Sequence, residues 1–149
     1  MIKILFSLIL IFSLPVYSEV LFDKPLKLSD QNQNKYDFFI SVADNDKKRM
    51  KGLMHVKRMK DNEGMLFVWK DEKMRFFWMK NTYIPLDILF FNSKGELINF
   101  IENAKPFSEL IISSEKPSKF VLEINGDLIN NLKFNLNSGL KIDNIKSFQ

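Results

Sequence analysis

The 149-residue sequence contains no cysteine, which excludes disulfides, thiolate metal sites and a cysteine nucleophile. Histidine occurs once, at His55, so histidine-based metal sites and Ser-His-Asp triads are restricted to arrangements through that residue. The five glycines are spread along the chain and form no phosphate-cradling loop. Only Arg49, Arg58 and Arg75 among the 22 cationic residues are arginine, the residue that reads phosphates and base edges, so the lysine-based charge argues against nucleic-acid binding.

The first eighteen residues have the pattern of an export signal. Lys3 supplies a positive charge, and the run from Ile4 to Leu14 is apolar except for two serines. This run is too short for the roughly 20 residues that span a bilayer. Val16 and Ser18 occupy the positions that a signal peptidase inspects, which predicts cleavage before Glu19. We therefore expect an exported protein, periplasmic or secreted, with an uncleaved N-terminal membrane anchor as the alternative.

The remaining chain, residues 19–149, has the length of a single domain and is predicted to be mainly β. Two apolar runs, Pro25–Leu28 and Tyr36–Val42, flank an Asn-rich connection and predict a hairpin. Further strands are expected at 64–69, 74–80, 86–91, 96–101, 120–124 and 140–145, and short helices at 44–51 and 127–133. On the strand at 120–124, alternation places Phe120, Leu122 and Ile124 on one face. This pattern predicts an antiparallel β-sandwich or jelly-roll-like barrel with two short helices.

The segment from Phe77 to Asp87 joins two of the most apolar stretches in the sequence and combines a large aromatic side chain with an amine, an amide and a carboxylate. If the stretches at 74–80 and 86–91 pair across the intervening turn, Lys80 and Asp87 lie close enough for an ion pair. Trp78 would share the face of Lys80. We predict a ligand site at this end of the domain; the structural alternative is a hairpin held by the ion pair, with Trp78 in the core.

Several segments of the sequence resemble the domain of unknown function 192 family, whose members are uncharacterised secreted or membrane-linked prokaryotic proteins. The matching segments are 51–54 (Lys-Gly-Leu-Met), 63–67 (Glu-Gly-Met-Leu-Phe), 77–90, Gly95 and 121–126 (Val-Leu-Glu-Ile-Asn-Gly). The resemblance implies a mostly β, jelly-roll-like domain outside the cytoplasm and brings no established activity, substrate or cofactor. Lys51 stands where the family usually has arginine, so a bidentate clamp at this position becomes a point charge.

The functional hypothesis is binding of a small molecule or a cell-envelope component, with no covalent chemistry, no cofactor and no metal. Trp78 would provide a stacking surface, Lys80 would contact an anion, and Asp87 would orient Lys80. The full set of candidate ligand-binding residues is Trp78, Lys80, Asn81, Thr82, Asp87 and Lys51. Contact with a membrane is expected only through the N-terminal segment, if it is retained.

Two alternatives belong to other functional classes. A hydrolase- or lyase-type enzyme would use Asp87 or Glu63 as a general base and Lys80 as an electrostatic stabiliser. Glu102 and Glu123 are further acids, but no spacing in the sequence brings two carboxylates together. A Cu(I) carrier would use thioether ligands, although most of these methionines lie in apolar runs typical of a core: Met50, Met54, Met59, Met65, Met74 and Met79.

Overall fold

The structure is a computed structural model, and it describes residues 20–149. The predicted export signal lies outside the described residues. The chain forms β1 (Lys24–Ser29), β2 (Lys35–Ala43), α1 (Asp46–Lys51), β3 (Glu63–Lys73), β4 (Phe76–Phe77), β5 (Leu86–Phe91), β6 (Leu97–Ala104), β7 (Ile112–Ser113), β8 (Ser118–Asn125), α2 (Leu128–Leu132), β9 (Lys141–Ile142) and a 3-10 turn at Ile145–Phe148. The predicted mainly β, barrel- or sandwich-like class with two short α-helices is confirmed.

Seven strands form one curled sheet in the order β6-β5-β8-β3-β2-β1-β9. The two edges of this sheet meet, because the Leu97 amide donates to the Leu140 carbonyl at 2.9 Å and the Ile142 amide donates to the Gly95 carbonyl at 2.8 Å. Neighbouring strands are antiparallel except β2 and β3, which run parallel and are joined by a crossover that contains α1. The sequence pattern did not predict this parallel pair.

The concave side of the sheet encloses the main apolar core. The predicted β1–β2 hairpin is present, with Leu26 opposite Phe38. The predicted alternation on β8 is also present, with Phe120, Leu122 and Ile124 in this core. The buried core residues are Leu26, Leu28, Phe38, Ile40, Leu66, Leu89, Phe91, Phe120, Leu122, Ile124, Leu128, Ile129, Phe134, Leu140 and Ile142. Burial of these side chains is the main stabilising contribution to the domain.

A second apolar layer covers the convex side of β3, β5 and β8. Its buried members are Ala43, Leu53, Met65, Phe67, Met79, Leu86, Ile88, Phe90, Ala104 and Val121. The strands β4 and β7 form a separate two-stranded sheet, here called the β4–β7 ribbon, in which Phe76 lies opposite Ser113 and Phe77 opposite Ile112. We call this covering side of the domain the outer layer. Both sides of the sheet are therefore buried around β5 and β8.

The predicted strand at 74–80 is the main error in the topology. Only Phe76 and Phe77 are extended there, and they pair with β7 instead of β5. β5 has no free edge for this partner, because it is already bonded to β6 on one side and β8 on the other. The hairpin across residues 81–85 is therefore wrong.

Gly64 permits the close approach of β3 to β8. A Cβ atom at this position would lie 2.7 Å from the Glu123 carbonyl oxygen and 3.1 Å from Ile124 Cγ2. Real side chains do not fit at such distances without a shift of the backbone. Close packing of β3 against β8 thus explains why the Glu-Gly-Met segment has glycine at position 64.

The helix α1 ends at Lys51, as predicted, and begins at Asp46, two residues later than predicted. The Asn45 side chain accepts a hydrogen bond from the Lys48 amide at 3.0 Å and caps the N-terminus. Gly52 ends the helix with a positive φ of 48°. Within residues 20–149, no helix has both the length and the apolar character needed to cross a bilayer.

Candidate functional site

The predicted ion pair between Lys80 and Asp87 does not form. The Lys80 ammonium lies 3.9 Å from Glu109 Oε2 and 5.1 Å from the centroid of the Trp78 ring. Asp87 is fully buried and bonds to backbone amides. The prediction of this ion pair was wrong because it depended on a hairpin between β4 and β5, and β4 pairs with β7 instead.

Asp87 has a structural role at the end of β5. Its carboxylate accepts hydrogen bonds from the amides of Asn103 at 2.8 Å, Asp127 at 3.2 Å and Ile129 at 2.7 Å. These bonds attach the end of β6 and the N-terminus of α2 to the sheet, and they satisfy amides that helix formation leaves unpaired. With no exposed surface and this number of donors, Asp87 does not fit the role of a general base.

Asn81 and Thr82 shape the turn that follows the β4–β7 ribbon. Asn81 has a left-handed backbone, with a φ of 54°, and its carbonyl accepts from the His55 amide at 2.9 Å. The Thr82 hydroxyl is buried and donates to the Lys80 carbonyl at 3.3 Å. Both residues therefore connect the turn to neighbouring backbone, a role that asparagine and threonine commonly have in turns.

A cavity of about 340 Å³ lies in the outer layer between α1, the β4–β7 ribbon and the convex side of β3 and β8. We call it the outer-layer cavity. It is lined by Asp46, Arg49, Met50, Lys51, Gly52, Leu53, Met54, Phe67, Trp69, Phe76, Phe77, Trp78, Thr82 and Glu123. Of the six predicted site residues, it brings together Lys51, Trp78 and Thr82; the lining does not include Lys80, Asn81 or Asp87.

Glu123 places a carboxyl group at the base of this cavity. It projects from the convex side of β8, opposite Met65 on β3 and Ile88 on β5, and only 5% of the residue is exposed. In the described part of the chain, its side chain has no hydrogen-bond partner and no ion pair. Burial in these apolar surroundings raises the pKa of Glu123 to about 8. The group is therefore mainly protonated at about neutral pH.

Aromatic rings form much of the remaining wall. Phe67 stacks on Trp69 with ring centroids 6.2 Å apart, and Phe77 meets Phe67 edge-on at 5.1 Å. Trp78 and Phe76 stand where the cavity opens, with 42% and 64% of their surfaces exposed. A bound molecule would thus meet ring surfaces on the way to a single buried acid.

Two arginines contact Trp69, and each is held by the protein. The Arg49 guanidinium lies 5.3 Å from the ring centroid and donates to the Val68 carbonyl and to Asp46 Oδ1, both at 2.6 Å. The Arg75 guanidinium lies 4.3 Å from the same ring and bonds to Asp71. The hydrogen bond from Arg75 holds the pKa of the Asp71 carboxyl below its usual range.

The sequence analysis did not assign Glu123, Trp69 or Arg49 to the site. Glu123 did carry a local signal, because it is the only charged residue between Phe120 and Ile124 in a strand that is apolar on both sides. Trp69 and Arg49 carried none, because their proximity depends on the crossover from β2 to β3. The site is therefore assembled from four separate parts of the chain, 46–54, 67–69, 76–82 and residue 123.

The other candidate residues occupy different surroundings. Glu63 pairs with Lys60 at 3.3 Å and lines a separate depression near Val20. Met65 and Met79 are buried in the outer layer, which indicates a packing role. Among residues 20–149, no group of three or more histidine, aspartate or glutamate side chains is arranged to hold a metal ion.

Two solved structures are similar to the chain over most of its length. A protein of Sinorhizobium meliloti 1021, described as a candidate transcription regulator, is 35% identical with a TM-score of 0.78, covering 85% of this chain and 97% of its own. A protein of unknown function from Novosphingobium aromaticivorans DSM 12444 is 34% identical with a TM-score of 0.74, covering 80% of this chain and 83% of its own. No curated protein matches the chain.

The family comparison agrees with the resemblance seen in the sequence. The model of the family of domain of unknown function 192, described as "Uncharacterized ACR", matches residues 28–142. This range extends from the end of β1 to β9 and includes all the other strands of the curled sheet in full. The chain belongs to the domain of unknown function 192 family.

Proposed function

We propose that this protein is an exported domain that binds a small molecule in the outer-layer cavity without covalent chemistry of its own. The observation that carries the proposal is the Glu123 carboxyl, which is buried, unpartnered in the described part of the chain and directed into a cavity. No side-chain oxygen or nitrogen of the described residues is both sealed from solvent and without a hydrogen-bond partner, so the unbonded Glu123 oxygens reach the space of the cavity. A ligand in that space could bond to Glu123 and supply the partner that the described residues do not.

The cavity has the composition of a small-molecule site. Its volume falls within the range of about 300–1,000 Å³ that such sites occupy, and most of its wall is apolar. Phe67, Trp69 and Phe77 would contact the apolar body of the ligand, while Glu123 would fix its polar end. Lys51 and Trp78, both predicted from the sequence, would act at the opening.

The S. meliloti relative suggests nucleic-acid regulation, but the arginines of this chain support it poorly. Arg75 is buried against Trp69 and bonded to Asp71, and Arg49 is bonded to Asp46 and Val68. Guanidinium groups held in this way do not offer their paired N–H donors to phosphates or base edges. The same contacts place both arginines in or beside the cavity wall, where they support its shape.

A cell-envelope partner that docks on the β4–β7 ribbon is a second candidate. Phe76 and Trp78 expose apolar surface on this ribbon, and the adjoining loop exposes Leu110 by 79% and Ile111 by 65%. Exposed apolar patches of this kind often mark interaction surfaces. The two candidates differ in what they need, because a docking partner would use the ribbon and a small molecule would use Glu123.

A thermal-shift screen of the purified protein tests the proposal. Amines, amino acids, sugars, nucleotides and fatty acids would be added singly, and a true ligand should raise the melting temperature saturably. Glu123→Leu should abolish this shift, whereas Glu102→Leu, at an exposed position on β6, should retain it. Ligands that bind Glu123→Leu as tightly as the unmodified protein would overturn the cavity assignment. Ligands lost only in Phe76→Ser or Leu110→Ser would favour the ribbon.

A further inference from the structure

We infer that the ligand of the outer-layer cavity carries a protonated amine, which forms an ion pair with Glu123 and displaces its proton to solvent. This inference rests on the proposed function and specifies the class of molecule bound. The step balances simply: the carboxylic acid of Glu123 loses one proton to water, and the resulting carboxylate pairs with the ammonium of the ligand. No bond other than the O–H bond is broken.

The first support is the absence of a protein cation at Glu123. Within the described residues, the two arginines near the cavity are paired with other acids, Arg49 with Asp46 and Arg75 with Asp71. A buried carboxylate is stable only with a partner that compensates the loss of hydration. The carboxyl of Glu123 therefore stays neutral until a cation enters, and an ammonium on an apolar ligand is a cation that the largely aromatic wall would accept.

The second support is the aromatic wall. Ammonium and guanidinium groups are attracted to the faces of aromatic rings, most strongly to tryptophan. The rings of this region already attract cations in the structure, with Arg49 and Arg75 on Trp69 and Lys80 on Trp78 at 5.1 Å. A ligand ammonium would find the same attraction on its path to the acid.

The charges that face Glu123 come from one element. The helix α1 contributes Asp46, Arg49 and Lys51 to the lining, while β3 and the β4–β7 ribbon contribute uncharged residues. Arg49 is paired with Asp46, and Lys51 also has an interaction partner within the protein, so the cations of the lining already have partners. The amine could belong to a simple amine or to a zwitterion such as an amino acid, and the probes below distinguish the two.

Three probes with the same phenyl body separate these cases: 2-phenylethylamine, phenylalanine and 3-phenylpropionate. Titration calorimetry at about neutral pH, in two buffers of different ionisation enthalpy, measures both affinity and proton exchange. We expect the amine or the amino acid to bind with release of about one proton, and the acid not to bind. Affinity should rise about tenfold per pH unit up to about pH 8 and then level off.

Two variants assign the effect to the carboxyl. Glu123→Gln keeps the size of the side chain but cannot ionise, so it should lose both the proton release and at least tenfold in affinity for the amine. Glu102→Gln makes the same chemical change at an exposed position and should behave as the unmodified protein. The melting temperature of each variant confirms that the fold is retained.

The outcomes separate the inference from the proposed function. Tighter binding of phenylalanine would support a zwitterionic ligand, and tighter binding of 2-phenylethylamine would support a simple amine. Binding of 3-phenylpropionate alone, lost in Glu123→Gln, would overturn the ammonium inference and leave small-molecule binding at this cavity intact. Binding of the amine without proton release, or no binding of any probe, would also overturn the inference, while the wider screen would still decide the proposed function.

Discussion

The paired strands β5 and β8 each bury one carboxyl group, on opposite sides of the sheet, and the described residues bond to only one of the two. On the concave side, Asp87 accepts three backbone hydrogen bonds. On the convex side, Glu123 has no partner in the described part of the chain and borders a cavity. The two acids are neighbours in the strand register, since Asp87 pairs with Ile124 and Ile88 pairs with Glu123. The difference shows that the protein itself supplies the hydrogen-bond partners of Asp87 on the concave side, while on the convex side it leaves Glu123 facing a cavity.

Asp87→Ala should give the largest loss of stability. It leaves three amides without their acceptor and releases the end of β6 and the start of α2. We expect a decrease of about 3–5 kcal/mol in the free energy of unfolding, measured by urea denaturation. Asp87→Asn should lose less, because its amide oxygen still accepts. A loss below about 1 kcal/mol in Asp87→Ala would show that the two carboxyls do not differ in this respect.

Glu123→Gln should increase the free energy of unfolding instead of decreasing it, and the size of this change should depend on pH. The folded-state pKa of about 8 exceeds the ordinary value of 4.5, so the folded protein binds this proton more tightly than the unfolded chain. The proton bound to Glu123 contributes fully to the stability of the folded protein below about pH 4.5, and this contribution is lost as pH rises through about 8. Relative to the unmodified protein, the variant should gain about 2–4 kcal/mol between these limits. A difference in unfolding free energy that is constant with pH would contradict a buried, unpartnered acid.

Gly64→Ala tests how closely β3 packs against β8 in the sheet that separates the concave and convex sides. Its Cβ would press on the backbone of β8 at Glu123 and on Ile124. The expected loss is about 1–3 kcal/mol, the usual cost of overpacking, measured by chemical denaturation. An unchanged stability would mean that β3 and β8 separate easily, and that the base of the cavity is less fixed than its geometry indicates.

Asn45→Ala should have the smallest effect on stability, and this effect should be confined to the outer layer. It removes the side-chain cap from α1, the helix that carries Arg49 and Lys51. We expect a loss of about 1 kcal/mol in thermal or urea unfolding. Hydrogen exchange should increase in α1 and remain unchanged in β5 and β8. Equal loss of protection in both regions would show that the outer layer and the concave core unfold as one unit.

Local patterns in the sequence predicted the elements that depend on adjacent residues. The β1–β2 hairpin follows from two apolar runs and a polar connection, and α1 follows from Asn45 and Gly52. The inward residues of β8 follow from alternation. Each of these signals lies within about eighteen residues, which is the range over which periodicity and capping act.

The site depended on contacts between distant segments. The pairing of Phe76 and Phe77 with β7 brings together residues far apart in the chain, and no local pattern distinguishes it from a hairpin with β5. The donors to Asp87 come from residues 103–129, so its structural role was also hidden. The structure places three of the predicted residues, Lys51, Trp78 and Thr82, in the lining of the outer-layer cavity, whose buried acid comes from β8; their role in ligand binding stays a prediction.

The most direct measurement is an NMR titration of the Glu123 side-chain carboxyl carbon, assigned with Glu123→Gln, in the free protein and with saturating 2-phenylethylamine. An unpartnered acid in a ligand cavity predicts an apparent pKa of about 8 in the free protein. The amine should lower this pKa by about one unit or more, because an adjacent cation favours the carboxylate. A pKa near 4.5 in both states would contradict the central claim that Glu123 awaits a partner from outside the protein.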